Sequence, residues 1–219
     1  MTGTAAAHSD ALILAEREAR LLHAHLLRHR RWNDAVFVRV VARSSELGVY
    51  AAPPMGVMSY IQLPLVHRLA SPIDETVSVR DIRFDDGAGD RVTLDLPMPG
   101  PGPAELAVLP PREEWHLPIH GVAGDVMPTV DAAVAEFKSR SVSAVDTDAL
   151  ADEIWSRPAF GGLPMRVLHT ARLLGMLGAD SARIAAATRT GWKRLTTIRG
   201  QIYVRVPGAL DRPTLTVVR

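Results

Sequence analysis

The longest stretch without a charged residue runs from residue 47 to residue 66, twenty residues in all. That length fits a membrane span, but Pro53 and Pro54 lie in the middle of it, and each proline removes a backbone donor and breaks a helix. The segment Pro53-Pro54-Met55-Gly56 is typical of a turn between two strands. We therefore predict strands over 48–52 and 57–65 and no membrane span.

A second pattern predicts an antiparallel hairpin. Apolar and polar residues alternate over 76–84 and again over 92–96, and the acidic, glycine-containing segment 85–90 separates them. Strict alternation is typical of a sheet with one buried and one wet face. The alternation slips at 80–81, where a bulge would fit.

Local sequence patterns predict the remaining helices and strands of an N-terminal α+β domain. Residues 9–31 predict a helix with Ser9 as its N-cap, followed by a strand over 35–42. A strand is predicted over 105–109 and a helix over 125–139. The fold class is therefore α+β, with an N-terminal helix and antiparallel sheet in a domain over 1–145, and a second, basic module over 146–219. Asp146 or Thr147 is expected to cap a helix running to Trp155.

No motif names a reaction. The chain has no cysteine, which excludes disulfides, thiolate metal sites and a cysteine nucleophile. Phosphate-binding loops, dinucleotide fingerprints and nucleophile elbows are missing, so we expect no cofactor, and an enzymatic activity stays open but disfavoured. Two histidine groups, His116 with His120 and His23 with His25 and His29, are expected to be structural or surface residues rather than metal ligands.

Charge is unevenly distributed along the chain. The net charge is +1, yet residues 1–70 carry +3, residues 71–154 carry −11 and residues 155–219 carry +9. Such asymmetry favours an anionic partner for the basic segment, or docking of the acidic middle on the basic tail within one chain or between subunits. Arginine outnumbers lysine 23 to 2 throughout, so the choice of arginine is not itself a sign of phosphate binding.

The last third of the chain resembles a winged helix-turn-helix in the order of its predicted elements. Apolar spacing predicts a helix over 165–177, a short helix over 181–187, a turn at 188–190 and a third helix to about Arg199. Gly200 would end that helix. Two strands, over 201–206 and 214–218, would then form the wing, around a loop at 207–212.

The resemblance implies that the third helix contacts duplex DNA in the major groove. Five residues are the predicted nucleic-acid contacts: Arg189, Lys193, Arg194, Arg199 and Arg212. Cations at these positions would bind bases or phosphates and release counterions.

Two hypotheses follow. In the first, the protein is a DNA-binding homo-oligomer, for example a regulator. We expect it to be cytoplasmic, because the first twenty residues lack the layout of a secretory signal. In the second, it is a structural or interaction protein that self-associates through its acidic middle and basic tail.

Overall fold

The structure, a computed structural model, describes residues 11–206. The chain forms two compact units. Unit 1 comprises residues 1–51 and 61–107, and unit 2 comprises residues 52–60 and 108–219. The structure thus divides the chain at other positions than 145/146, and the boundary expected there stays a prediction.

Unit 1 contains two antiparallel strand groups. Its strands are β1 (Leu12–Ala15), β2 (Phe37–Arg43), β3 (Glu46–Ala51), β5 (Ile73–Ser78), β6 (Arg83–Asp86) and β7 (Arg91–Asp95). The strand orders are β1-β7-β6 and β5-β2-β3. In strand β4 (Val57–Pro64), residues 57–60 belong to unit 2 and residues 61–64 belong to unit 1. The predicted strands at 35–42, 48–52 and 57–65 are confirmed to within two residues.

The predicted strand over 76–84 is two strands. A 3₁₀ turn at Val79–Asp81 separates β5, which pairs with β2, from β6, which pairs with β7. The slip in the alternation at 80–81 marks this change of partner and not a bulge.

One helix, α1 (Glu16–Arg30), completes the regular structure of unit 1. Its buried side chains include Ala19, Leu22 and Leu26, at the spacing of one helical face. The helix is shorter than the predicted 9–31, because residues 12–15 pair with β7 as a strand. The expected cap, Ser9, lies outside the described residues. The predicted strand over 105–109 is wrong, since residues 104–107 form a 3₁₀ turn.

Unit 2 packs helices against one antiparallel sheet. Its strand order is β4-β11-β10-β9-β8, with β8 (His116–Val122), β9 (Arg183–Arg189), β10 (Trp192–Thr197) and β11 (Gly200–Arg205). The helices are α2 (Ala123–Ser141), α3 (Thr147–Trp155) and α4 (Met165–Leu173). Asp146 accepts a hydrogen bond from the Ala149 amide at 2.9 Å, so the expected N-cap of α3 is confirmed.

The winged helix-turn-helix expectation is wrong for residues 183–205. The predicted second and third helices are strands β9 and β10, and only the strand at 201–206 was expected. Two-residue loops join β9 to β10 and β10 to β11, and Gly191 in the first loop has a φ of 80°. Tight loops of this length fold consecutive segments back on each other as hairpins. The mixed α+β fold with antiparallel sheets is confirmed.

The physical reason lies in the burial pattern. Ile184, Ala186 and Leu195 are buried on one face of the sheet together with Ile202 and Val204. This period of two was hidden by coincidental i, i+3 spacings, which are typical of a helix. The predicted wing loop and return strand, at 207–218, lie outside the described residues. Among residues 11–206, no helix is both long enough and apolar enough to cross a membrane.

Candidate nucleic-acid interface

Strands β9 to β11 and the loops between them contain positively charged residues and no acidic residue. Residues 183–206 contain six cations and no acidic residue. The cations are Arg183, Arg189, Lys193, Arg194, Arg199 and Arg205. A surface with this composition attracts polyanions through long-range electrostatics.

Strand pairing sorts the side chains of β10 and β11 onto two faces. Trp192 lies directly opposite Arg205, and Arg194 lies directly opposite Tyr203. Directly paired residues share a face and residues two apart along a strand do as well. These four residues therefore share one face, and Trp115 packs on it. We call these five residues, Trp115, Trp192, Arg194, Tyr203 and Arg205, the aromatic–arginine face.

Rings and guanidinium groups alternate on this face. The Arg194 guanidinium lies 4.4 Å from the centroid of the Trp115 ring, and the Arg205 guanidinium lies 4.9 Å from that of Trp192. Both distances are within the range of a cation–π interaction. The Tyr203 ring lies 5.7 Å from Trp115 and 6.5 Å from Trp192, centroid to centroid.

The segment before β8 holds Trp115 in place. The Trp115 indole Nε1 donates a hydrogen bond to the Pro111 carbonyl at 3.1 Å. Arg189, at the end of β9, donates to the Glu113 carbonyl and, at 2.8 Å, to the Glu114 carboxylate. These contacts fix the ring above the sheet before any ligand arrives.

The face differs in exposure from its centre to its rim. Tyr203 is buried, whereas Trp115, Trp192 and Arg194 are half-buried and Arg205 is exposed. The Nε atom of Arg194 is buried and has no hydrogen-bond partner within residues 11–206. Arg194 is therefore held by the Trp115 ring, and its planar group is not committed to a carboxylate in the described chain.

The five predicted contact residues do not share one surface. Arg189 lies opposite Trp192, on the side of the aromatic–arginine face, as does Arg194. Lys193 points to the other face, where its Nζ donates to the Gly162 carbonyl at 2.6 Å. Arg199 lies in the loop after β10 and donates to the Gly175 carbonyl at 2.7 Å. Arg212 lies outside the described residues.

Several arginines of the basic tail pair with acids of the acidic middle. Arg189 pairs with Glu114, Arg172 with Asp131, and Arg157 with Glu136 and Glu153. Part of the charge segregation is thus neutralised within unit 2, by docking of the acidic middle on the basic tail inside one chain.

The largest such cluster joins α2 and α3. Arg140 and Arg157 each donate to both Glu136 and Glu153, at 2.6–2.9 Å. Hydrogen bonds from Arg157 and Arg140 lower the pKa of Glu136 to about 2, and those from Arg140 and Arg157 lower the pKa of Glu153 to about 2. The two arginines and the two glutamates balance each other's charge. The network therefore holds the two helices together and has no net charge to attract a ligand.

Two histidines of the α1 group are buried and contact each other. His25 and His29 are buried one helical turn apart on α1, with their Nε2 atoms 3.2 Å apart. Burial lowers the pKa of His25 well below 6.5, with the nearby His29 and Arg28 adding to it, and burial lowers the pKa of His29 to about 4. In the described part of the chain, no three His, Cys, Asp or Glu side chains come together as metal ligands.

Four residues of the aromatic–arginine face were missed by the sequence reasoning. These are Trp115, Trp192, Tyr203 and Arg205. The predicted third helix includes Trp192, and the predicted wing strand over 201–206 includes Tyr203 and Arg205. The alternation of Trp192 with Arg194, and of Tyr203 with Arg205, is the signal that could have placed them on one sheet face.

Comparison of the sequence with known families finds one match. Residues 110–209, which include most of unit 2, match a domain family described as a domain of unknown function, DUF8185. No curated protein matches the sequence.

Comparison of the structure with solved structures finds the fold of bacterial sliding clamps. The DNA polymerase III subunit beta from Pseudomonas aeruginosa aligns with a TM-score of 0.54 and 13% identity, over 90% of this chain and 65% of the clamp chain. The DNA polymerase III beta chain from Streptococcus pneumoniae aligns with a TM-score of 0.52 and 10% identity, over 94% of this chain and 66% of that one.

A third clamp agrees with these two. Caulobacter crescentus pol III beta aligns with a TM-score of 0.52 and 10% identity, over 93% of this chain and 66% of its own. At such low identity the likeness extends to the fold alone, and this chain spans less than two thirds of each of these three clamps.

Proposed function

We propose that this protein associates with DNA and assembles with copies of itself. The carrying observation is the combination of a sliding-clamp fold with a sheet segment that has six cations and no acid over residues 183–206. The clamps it resembles are named as subunits of a DNA polymerase, and the excess cations supply the counterion release that drives binding to duplex DNA.

The proposed contacts are the cations of unit 2. Arg189 and Arg194 lie on the aromatic–arginine side of the sheet, and Arg199 lies at the turn between β10 and β11. Lys193, on the opposite face, and Arg212, outside the described residues, complete the set predicted from the sequence. A regulatory role stays a hypothesis with no support beyond DNA association.

The test is a titration of a labelled duplex by the full chain, followed by fluorescence anisotropy at increasing salt. The logarithm of the association constant is expected to fall linearly with the logarithm of the salt concentration, by about 0.9 per phosphate contacted. Arg194→Gln is expected to reduce that slope by about one and to weaken binding equally for different sequences.

The matched control is Arg91→Gln. Arg91 is an exposed arginine at the start of β7 in unit 1, so the substitution removes the same charge outside the proposed surface. It is expected to leave the salt slope unchanged. Absence of binding by the full chain to both duplex and single-stranded DNA at low salt would overturn DNA association.

The second candidate function is self-association through opposite charge. It is favoured by the opposite net charges of residues 71–154 and 155–219, −11 and +9, which pairs inside one chain, such as Arg189 with Glu114, neutralise only in part. The same complementarity between two chains would hold an oligomer together. Such an oligomer is expected to dissociate as salt rises, whereas a DNA-binding oligomer would lose its nucleic acid and stay assembled. Sedimentation at low and high salt distinguishes the two.

A further inference from the structure

We infer that the aromatic–arginine face binds an unpaired nucleic-acid strand by stacking its bases on rings and guanidinium planes. The inference rests on the proposed association with DNA and assigns a substrate class to one surface of unit 2. It concerns the five residues already defined: Trp115, Trp192, Arg194, Tyr203 and Arg205.

The aromatic–arginine face holds several planar side-chain groups close together. The centroids of the Trp115 and Trp192 rings lie 5.7 and 6.5 Å from that of Tyr203, and both tryptophans are half-buried. An arginine lies against each indole. A base can therefore stack on a ring or on a guanidinium plane, the two platforms that proteins use for unstacked bases.

The charge selects an anionic strand over a neutral planar ligand. Arg205 is exposed, and Arg194 has a half-buried guanidinium with no acidic partner in the described chain. The carboxylate of Glu114 is already paired with Arg189 at 2.8 Å. The phosphates of a bound strand would thus meet the guanidinium groups of Arg194 and Arg205 on this face.

The same features favour an unpaired strand over a duplex. A duplex keeps its bases stacked inside and presents only their edges, which a helix or a two-stranded ribbon reads from a groove. The rings of a sheet face gain contact area only from bases that are unstacked. The aromatic–arginine face therefore adds to single-strand affinity and contributes little beyond charge to duplex affinity.

The experiment compares a labelled oligo(dT) strand with a labelled duplex of equal length, both titrated with the full chain at one low salt concentration. Trp192→Ala is expected to weaken binding of the single strand about fivefold or more, the effect of removing one stacked base, and to change duplex binding less than about twofold. Circular dichroism verifies that the variant is folded.

Two conservative variants keep the test independent of folding. Arg194→Lys and Arg205→Lys preserve the charge but remove the planar group, so each is expected to weaken the single strand and leave the duplex unchanged. Arg91→Lys is the matched control, because Arg91 is exposed at the start of β7 in unit 1 and is not one of the cations of residues 183–206. It is expected to change neither affinity.

The outcomes separate this inference from the proposed function. Binding to duplex alone overturns the stacking inference and leaves DNA association intact. Binding to neither probe overturns both. Single-strand binding that Trp192→Ala, Arg194→Lys and Arg205→Lys all leave unchanged overturns the inference. Equal competition by polyglutamate and oligo(dT) does so as well, because it would show a surface that recognises charge alone.

Discussion

The guanidinium of Arg194 lies over the ring of Trp115, 4.4 Å from its centroid. These two residues are 79 positions apart in the sequence, and the contact joins the segment before β8 to the centre of the sheet. It provides the only interaction of the Arg194 side chain that the structure records among residues 11–206. Nearby, Arg189 ties the same segment to the end of β9 through Glu114.

Arg194→Lys is expected to lower the free energy of unfolding by about 1 kcal/mol, because an ammonium group cannot stack on the indole as the guanidinium does. Urea unfolding followed by circular dichroism measures the change. Arg183→Lys, at an exposed position with no ring contact in the described chain, is the control and should unfold like the parent protein. A stability of Arg194→Lys equal to the parent's would show that the ring contact is energetically neutral.

Gly191→Ala distinguishes the observed hairpin from the predicted helix by the sign of its effect. In a helix, alanine would stabilise the chain by about 1 kcal/mol relative to glycine. Gly191 instead has a φ of 80°, where a Cβ costs about 1–2 kcal/mol. We expect a lower melting temperature for Gly191→Ala in a calorimetric scan. An increase would contradict the hairpin at 190–191.

The buried pair His25 and His29 predicts acid destabilisation of unit 1. The folded-state pKa of each lies below the unfolded value of about 6.5. The unfolded chain therefore binds more protons than the folded chain as the pH falls from 6.5 toward 4. The stabilisation is full above 6.5 and is lost through this window, at up to about 1.4 kcal/mol per pH unit for each imidazole.

The measurement is the free energy of unfolding between pH 7 and pH 5 in small steps. The double variant His25→Gln and His29→Gln should show a smaller slope over this range. The control is His67→Gln, since His67 is exposed and its replacement should leave the slope as it was. An unchanged slope in the double variant would assign the acid sensitivity to other groups.

The four-residue ion network on α2 and α3 predicts a stability contribution that depends on salt. Glu136→Gln is expected to lower the melting temperature at low salt and to have a smaller effect at high salt, because the network is partly exposed and screened. Asp152→Asn, an exposed acid on α3 outside the network, serves as control. Equal effects of the two substitutions at every salt concentration would exclude a special role for the network.

The same network also predicts how far the pH can fall before its contribution to stability is lost. The pKa of Glu136 and that of Glu153 are lowered to about 2 by the two arginines. Their contribution is therefore present above the ordinary glutamate pKa and is lost only as pH falls from there toward 2. Chemical-shift titration of the two carboxyl groups should give midpoints well below those of exposed glutamates. Ordinary midpoints would mean that the pairs are broken in solution.

Much of the sheet structure could be predicted because its signals are local. Pro53 and Pro54 mark a turn, and the alternation around Val77 and Val92 marks strands, whatever they pair with. The N-cap at Asp146 depends on a contact within one turn of chain, and it was predicted correctly. In each case the physical cause lies within a few residues of the feature.

The C-terminal strands could not be predicted from the same signals. In residues 183–199 the large apolar side chains are few, and their spacing fits a helix about as well as a strand. The pairing of β10 with both β9 and β11 stabilises the sheet, because it forms inter-strand hydrogen bonds and buries Leu195. Residues 192–197 therefore form a strand and not a recognition helix, because the neighbouring strands on both sides pair with them.

Local patterns along the chain establish the α+β class, the turns and the excess of cations in the last third of the chain. Which of those cations share a surface depends on how strands β9 to β11 pair. Arg194 and Lys193 are neighbours in sequence, yet one lies over the Trp115 ring and the other donates to the Gly162 carbonyl on the opposite face. The reason is the period of two: in a strand, adjacent side chains point to opposite sides, and a surface is assembled from residues that the chain keeps far apart.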